Sequence, residues 1–96
     1  MLDLIISSKA EADLIDIWLY IAEDQPVNAD RFLDKLNETA KALAETPGMG
    51  VSRSSLSEGL RCFPVGNYIL FYRVNPTTLE IVRFLSASRD VDNFMW

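Results

Sequence analysis

The hydrophobic pattern of this chain changes period once, and that change dictates the order of its architecture. From Ser8 to Glu45 apolar residues recur at helical spacing; from Gly59 onward they alternate. Helix side chains return to one face every ~3.6 residues and strand side chains every two, so helices come first and strands follow. Leu2 to Ser7 reads as a short strand ahead of the helices. Ser8 and Glu11 form the S-x-x-E capping pattern of a helix start, and that helix is expected to run to about Asp24. Leu14, Ile17, Trp18 and Ile21 form one apolar stripe on it, and Ala12, Ile15, Leu19 and Ala22 form a second. At ~100° per residue the two stripes span roughly 220° of its circumference, which requires more than one neighbour.

Pro26 suits the first turn of a second helix, where its missing N–H costs nothing, with Asp24 or Gln25 as cap. Ala29, Phe32, Leu33, Leu36, Ala40 and Leu43 keep helical spacing to about Glu45, and Thr46-Pro47-Gly48-Met49-Gly50 stops it. The short link predicts an antiparallel helical hairpin. Residues 51–58 read as a serine-rich loop.

Strands are expected at about 59–63, 67–74 and 79–86, with turns at Val65-Gly66 and Asn75-Pro76-Thr77-Thr78. Closing those turns pairs Phe63 with Tyr68, Arg61 with Leu70, Arg73 with Glu80, Tyr72 with Ile81 and Leu70 with Arg83. Leu60, Cys62, Ile69, Phe71, Val82 and Phe84 then share a dry side expected to face the helices. Arg73 and Glu80 close that side as an opposite-charge structural pair. The other side carries Phe63, Tyr68, Leu70, Tyr72 and Ile81, with Arg61 and Arg83 flanking Leu70. Guanidinium groups among phenol rings suit a recognition surface, since guanidinium stacks on rings and forks onto carboxylate or phosphate. A purely structural alternative pairs Arg61 and Arg83 with the terminal carboxylate, Asp90 or Asp92. The whole arrangement is an α+β fold, read as one domain over residues 1–96.

Charge narrows the function. The net charge is −5, with ten acids against four bases before residue 49 and five arginines against four acids after it. An acidic chain lacks the broad basic field that direct nucleic-acid binding needs. Cys62 is the only cysteine and there is no histidine, so neither an internal disulfide nor a Cys/His metal site is expected, and Cys62 reads as a small buried hydrophobe. The apolar run Leu4-Ile5-Ile6 is too short for a leader or a membrane span, which with the lone thiol points to the cytoplasm. No cofactor motif is present.

Ala12-Asp13-Leu14-Ile15-Asp16-Ile17-Trp18, Tyr20-Ile21-Ala22-Glu23-Asp24 with Pro26, Arg31-Phe32-Leu33, and Leu43-Ala44 with Pro47 and Gly50 occur in order. Gly59-Leu60-Arg61-Cys62-Phe63-Pro64-Val65-Gly66-Asn67-Tyr68, Tyr72-Arg73-Val74, Ile81-Val82-Arg83 and Ala87-Ser88-Arg89-Asp90 continue the series. The ordered set resembles the ParE-type toxins of bacterial type II toxin–antitoxin operons, within the RelE/ParE superfamily. The resemblance implies a helical hairpin on one face of a small antiparallel sheet, in the order β-α-α-β-β-β. It also implies a non-enzymatic toxin that poisons DNA gyrase by protein–protein binding. Its implied partner is a ParD-like antitoxin, in a hetero-oligomer of two toxins and two antitoxins or larger.

RelE-like relatives, which cut ribosome-bound mRNA, resemble this chain at Arg61 and Arg83 but add groups for proton transfer. Here residues 47–60 hold no lysine, the tail no tyrosine and the chain no histidine. RNA cleavage needs a base and an acid, and arginine, always protonated, is poor at both. Ribosome-dependent cleavage is therefore the alternative, beside a non-toxic antitoxin-binding subunit that controls its own operon. Ser86 stands where many family members carry histidine. The residues expected to meet the antitoxin or the target are Leu14, Trp18 and Leu19 on the first helix, with Arg61, Tyr68, Tyr72, Arg83 and Arg89.

Overall fold

A computed structural model describes all 96 residues. Strand β1 (Asp3–Ile6) leads into helices α1 (Ser8–Ala22) and α2 (Pro26–Glu45), followed by a 3-10 turn at Pro47–Met49. Four strands complete the chain: β2 (Val51–Ser52), β3 (Arg61–Val65), β4 (Tyr68–Val74) and β5 (Thr78–Ser86). They form one mixed sheet in the order β1-β5-β4-β3-β2, with β1 parallel to β5 and the other neighbours antiparallel. The α+β class and the helical hairpin on one sheet face agree with the sequence. The two-residue β2 is an addition, formed where only a loop was expected.

The cap of α1 lies one residue earlier than the capping pattern placed it. Ser7 remains extended because its N–H still bonds Ile81 O of β5, so the helix starts directly after it. Its hydroxyl accepts from Ala10 N–H at 3.0 Å and donates to Val82 O at 2.8 Å, tying helix start to sheet. Helix α2 begins with Pro26 as expected.

The β3–β4 pairing slips by two residues from the prediction, with Val65 opposite Tyr68 and Arg61 opposite Tyr72. Gly66, at φ 59°, supplies the positive φ of the first turn position, so the turn is Gly66-Asn67 rather than Val65-Gly66. A two-residue slip preserves which side each residue faces. The β4–β5 pairing follows prediction from Val74–Leu79 to Tyr72–Ile81, then shifts by one at a bulge. Val82 is the extra residue, so Phe71 lies opposite Arg83 and Leu70 opposite Phe84. The expected Leu70–Arg83 pair does not form.

The two sides of the sheet are exchanged relative to expectation. Leu70, Tyr72, Leu79, Ile81 and Phe84 pack with Ile17, Leu36, Ala40 and Leu43 of the helices. Leu60, Cys62 and Phe71 instead face away from the hairpin and join Leu85, Leu56 and the tail residues Val91, Phe94 and Trp96. Both sides alternate cleanly, and alternation alone does not say which one helices will cover. Phe84, grouped with Phe71 in the sequence reading, lies on the helix side because the bulge turned it.

Candidate functional site

The two guanidinium groups expected to share a recognition face leave the sheet on opposite sides. Arg61 stands opposite Tyr72 on the helix side; Arg83 stands opposite Phe71 on the other. Each is engaged within the chain. Arg61 Nη2 donates to Gly50 O at 2.6 Å and to Gly48 O at 3.4 Å, and Nε donates to Tyr72 Oη at 3.4 Å. These carbonyls belong to the turn that ends α2, where a helix leaves carbonyls without partners. Tyr72 is fully buried; its hydroxyl donates to Pro47 O at 2.8 Å and accepts from Gly50 N–H at 3.1 Å. It anchors the turn and offers no surface to a partner.

Arg83 forms a bidentate pair with Asp13 of α1, Nε to Oδ2 and Nη2 to Oδ1, both at 2.7 Å. Asp13 Oδ2 also accepts the Phe84 N–H at 3.0 Å. The hydrogen bond to Asp13 raises the Arg83 pKa above its ordinary value, against the opposing effect of burial. The structural alternative was right in kind, a carboxylate partner for an arginine, but wrong in residue. Asp90 and Asp92 play no part in it, and Arg61 has no carboxylate partner. Asp13 lies 70 positions from Arg83 in sequence, beyond any local argument about phase. One signal could have found it: Ala10, Asp13 and Ile17 share one helix face, and an acid inside an apolar row requires a partner.

Arg73 and Glu80 are cross-strand neighbours as predicted, yet they form no ion pair. Arg73 turns instead to the loop before β3, donating to Ser57 Oγ and to Glu58 O at 3.3 Å. No three His, Cys, Asp or Glu side chains converge as metal ligands would.

On α1 the stripes divide their work. Leu14 packs on the helix-side core, and Trp18 donates its indole N–H to Asp30 of α2 at 2.8 Å, so both hold the hairpin together. Ile15 and Leu19 of the second stripe remain 62% and 55% exposed, and Ala12 is exposed beside them. Large apolar residues at helical spacing and open to solvent mark a contact surface that the fold itself leaves uncovered. Tyr68 is half-buried under Phe32, with ring centroids 5.5 Å apart. Burial, and then the nearby Tyr20, push its phenol pKa up. Arg89 is exposed and lies over the Phe94 ring at 5.1 Å. Of the expected site residues, then, Leu19 and Arg89 are exposed, Leu14, Trp18, Arg61, Tyr68 and Arg83 partly so, and Tyr72 not at all.

The family described as the ParE toxin of type II toxin–antitoxin systems, parDE, matches residues 4–91. Toxin ParE1 of Caulobacter vibrioides is 38% identical over 84 residues, covering 86% of this chain and 86% of the relative. A solved structure described as the chromosomal ParDE TA system from P. aeruginosa superposes with a TM-score of 0.78 at 25% identity. That match covers 90% of this chain and 96% of the other.

Proposed function

Because this chain belongs to the ParE toxin family of type II toxin–antitoxin systems, we propose that it inhibits DNA gyrase by protein binding and is neutralised by a ParD-like antitoxin. It works as one toxin domain, in the cytoplasm where gyrase acts. No helix of the chain is long and apolar enough to cross a membrane.

The observation that carries this reading is the uncovered apolar stripe of Ala12, Ile15 and Leu19 on α1, a surface made for another protein. The positions of the arginines argue the same way. Cleaving RNA requires an acid and a base on either side of one phosphate. Arg61 and Arg83 project from opposite sides of the sheet into internal hydrogen bonds, so they do not converge on a common substrate. The antitoxin lays an apolar helix along the Ile15–Leu19 stripe. Its assembly with the toxin is a hetero-oligomer.

Purified toxin incubated with gyrase, ATP and plasmid is expected to accumulate linear DNA when the complex is denatured. Unimpaired supercoiling at excess toxin would remove gyrase as the target. Leu19→Asp is expected to weaken capture of a co-expressed antitoxin at least tenfold, since a buried unpaired carboxylate is costly.

A further inference from the structure

We propose that the free edge of β1 is a contact surface for a second copy of this chain. The two β1 strands pair antiparallel across a two-fold axis at Ile5. The sheet has two edges, and they are not alike. At one end β2 is only two residues long, Val51–Ser52, too short to template a partner. At the other, β1 presents Asp3-Leu4-Ile5-Ile6 with no proline, lysine or bulge, the devices that blunt an exposed edge. The pairing adds a toxin–toxin contact to the assembly proposed above, uses no residue of the Ile15–Leu19 stripe, and does not depend on gyrase as the target.

Main-chain directions define the occupant and the register. Asp3 N–H bonds Thr77 O and Ser7 N–H bonds Ile81 O, so the odd-numbered residues of β1 direct their N–H and C=O groups to β5. Leu4 and Ile6 therefore direct theirs outward. Leu2, next in that series, already has its N–H bonded to Ala44 O at the end of α2. A hydrogen-bonded antiparallel pair exchanges both groups of each residue. Setting Leu4 of one copy opposite Ile6 of the other thus uses every outward group of both residues, and the two-fold axis supplies the reciprocal pair. The neighbouring registers fail. With Leu4 on the axis, Ile6 meets Leu2, whose N–H is taken; with Ile6 on the axis, Leu4 meets Ser8, which is already helical.

Side chains fit the same register. Leu4 and Ile6 pack half-buried on the helix side, which leaves Ile5 on the tail side at 45% exposure. On the axis the two Ile5 side chains form a non-hydrogen-bonded pair, with Cα atoms about 4.5 Å apart, and cover one another. Leu4 and Ile6 meet across the axis and extend the helix-side core. Asp3 is exposed and has no ion pair in its own chain. It comes opposite Ser7 of the second copy, at the N-terminal end of that copy's α1 and close in sequence to Lys9, where negative charge is favoured. Such a surface is self-complementary, as a two-fold contact requires. One short strand buries less than the roughly 1,200–2,000 Å² of a standard interface, so the dimer is weak and depends on concentration.

The test is sedimentation velocity of the full-length chain over a concentration series, expected to pass from monomer to dimer. Ile5→Lys sets two ammonium groups face to face and is expected to weaken the association about tenfold. The position is exposed, so its circular dichroism should match the parent's. A second measurement fixes the register. Ile5→Cys treated with oxidised glutathione is expected to give a disulfide-linked dimer, because axial Cα atoms about 4.5 Å apart lie within disulfide range. Asp3→Cys, on the same side of the strand, stands about 13 Å from its own image and should not cross-link. The native Cys62 is buried and forms the common background. A chain that stays monomeric throughout the series would overturn the proposal. So would an undiminished dimer in Ile5→Lys, or equal cross-linking of the two cysteine variants.

Discussion

Both faces of the sheet are dry, but they are covered in different ways. The helix side is closed by α1 and α2, whose main chains bond along each helix and which are tied to the sheet through Ser7 and Asp13. The tail side is closed by irregular chain after Ser88 whose one main-chain hydrogen bond to a strand is Arg89 N–H to Ser86 O at the end of β5, 3.0 Å. Its cover is aromatic: Trp96 lies 4.6 Å from the Phe71 ring and 4.9 Å from Phe94, and Arg83 sits 4.9 Å over Phe94. Keeping a sheet face dry requires apolar area rather than regular structure. Holding the cover in place is another matter, and beyond that one bond the tail is held by rings and cations.

That contrast can be broken most decisively at Phe71, which is fully buried beneath the tail. Phe71→Ala is expected to cost about 3–5 kcal/mol in urea unfolding, comparable with the roughly 2–5 kcal/mol expected for Leu36→Ala on the helix side. A loss below 1 kcal/mol would show the tail side to be no core at all. Next comes Asp13, which joins the two sides by holding Arg83 across the sheet edge. Asp13→Ala is expected to cost roughly 2–4 kcal/mol, discounted because the pair is not wholly buried, and Asp13→Asn less. Equal costs for the two would mean that the charge carries the whole effect and the Phe84 bond none of it.

Gly50→Ala tests how tightly the turn after α2 is held. An added Cβ would stand 2.6 Å from Cys62 O and collide with the Tyr72 hydroxyl, both buried. About 1–3 kcal/mol of destabilisation is expected from this overpacking, with a change in Tyr72 fluorescence or ring shifts. Removing the Trp96 side chain should cost about 1–2 kcal/mol, since it is half-buried, and leave the α1–α2 seam at Trp18 and Asp30 unchanged by NMR. Collapse of that seam would mean that the two sides are not separable.

The smallest effect concerns pH. Tyr68 has a folded pKa above the ordinary 10.0, because burial disfavours phenolate. Its contribution is therefore complete below pH 10 and is lost as pH rises through the folded value, while the unfolded phenol ionises freely. Tyr68→Phe should flatten this alkaline decline in stability by a few tenths of a kcal/mol, measured from pH 8 to 11; an identical decline in both proteins would assign it to other groups.

Much of the architecture was legible because it rests on neighbours in the chain. Pro26 opens α2, Thr46 to Gly50 closes it, and the alternation after Gly59 yields the three longer strands, since these features act over a few residues. The exposed second stripe on α1 was likewise visible as an apolar arc wider than one contact needs. Leu19 and Arg89 kept their access to solvent, and Tyr68 kept part of its own. Arg61, Tyr72 and Arg83 did not behave as read, because the partners that engage them come from Pro47 to Gly50 and from Asp13.

The order of elements, the α+β class and the resemblance to one toxin family were thus determined by the amino-acid sequence alone. Which side of the sheet the helices cover, and on which side each arginine emerges, were decided by tertiary structure. The physical reason is parity. One extra residue at Val82 turns every later side chain of β5 over, and the Phe84 N–H beyond it meets the Asp13 carboxylate, a contact made only when α1 lies against the sheet.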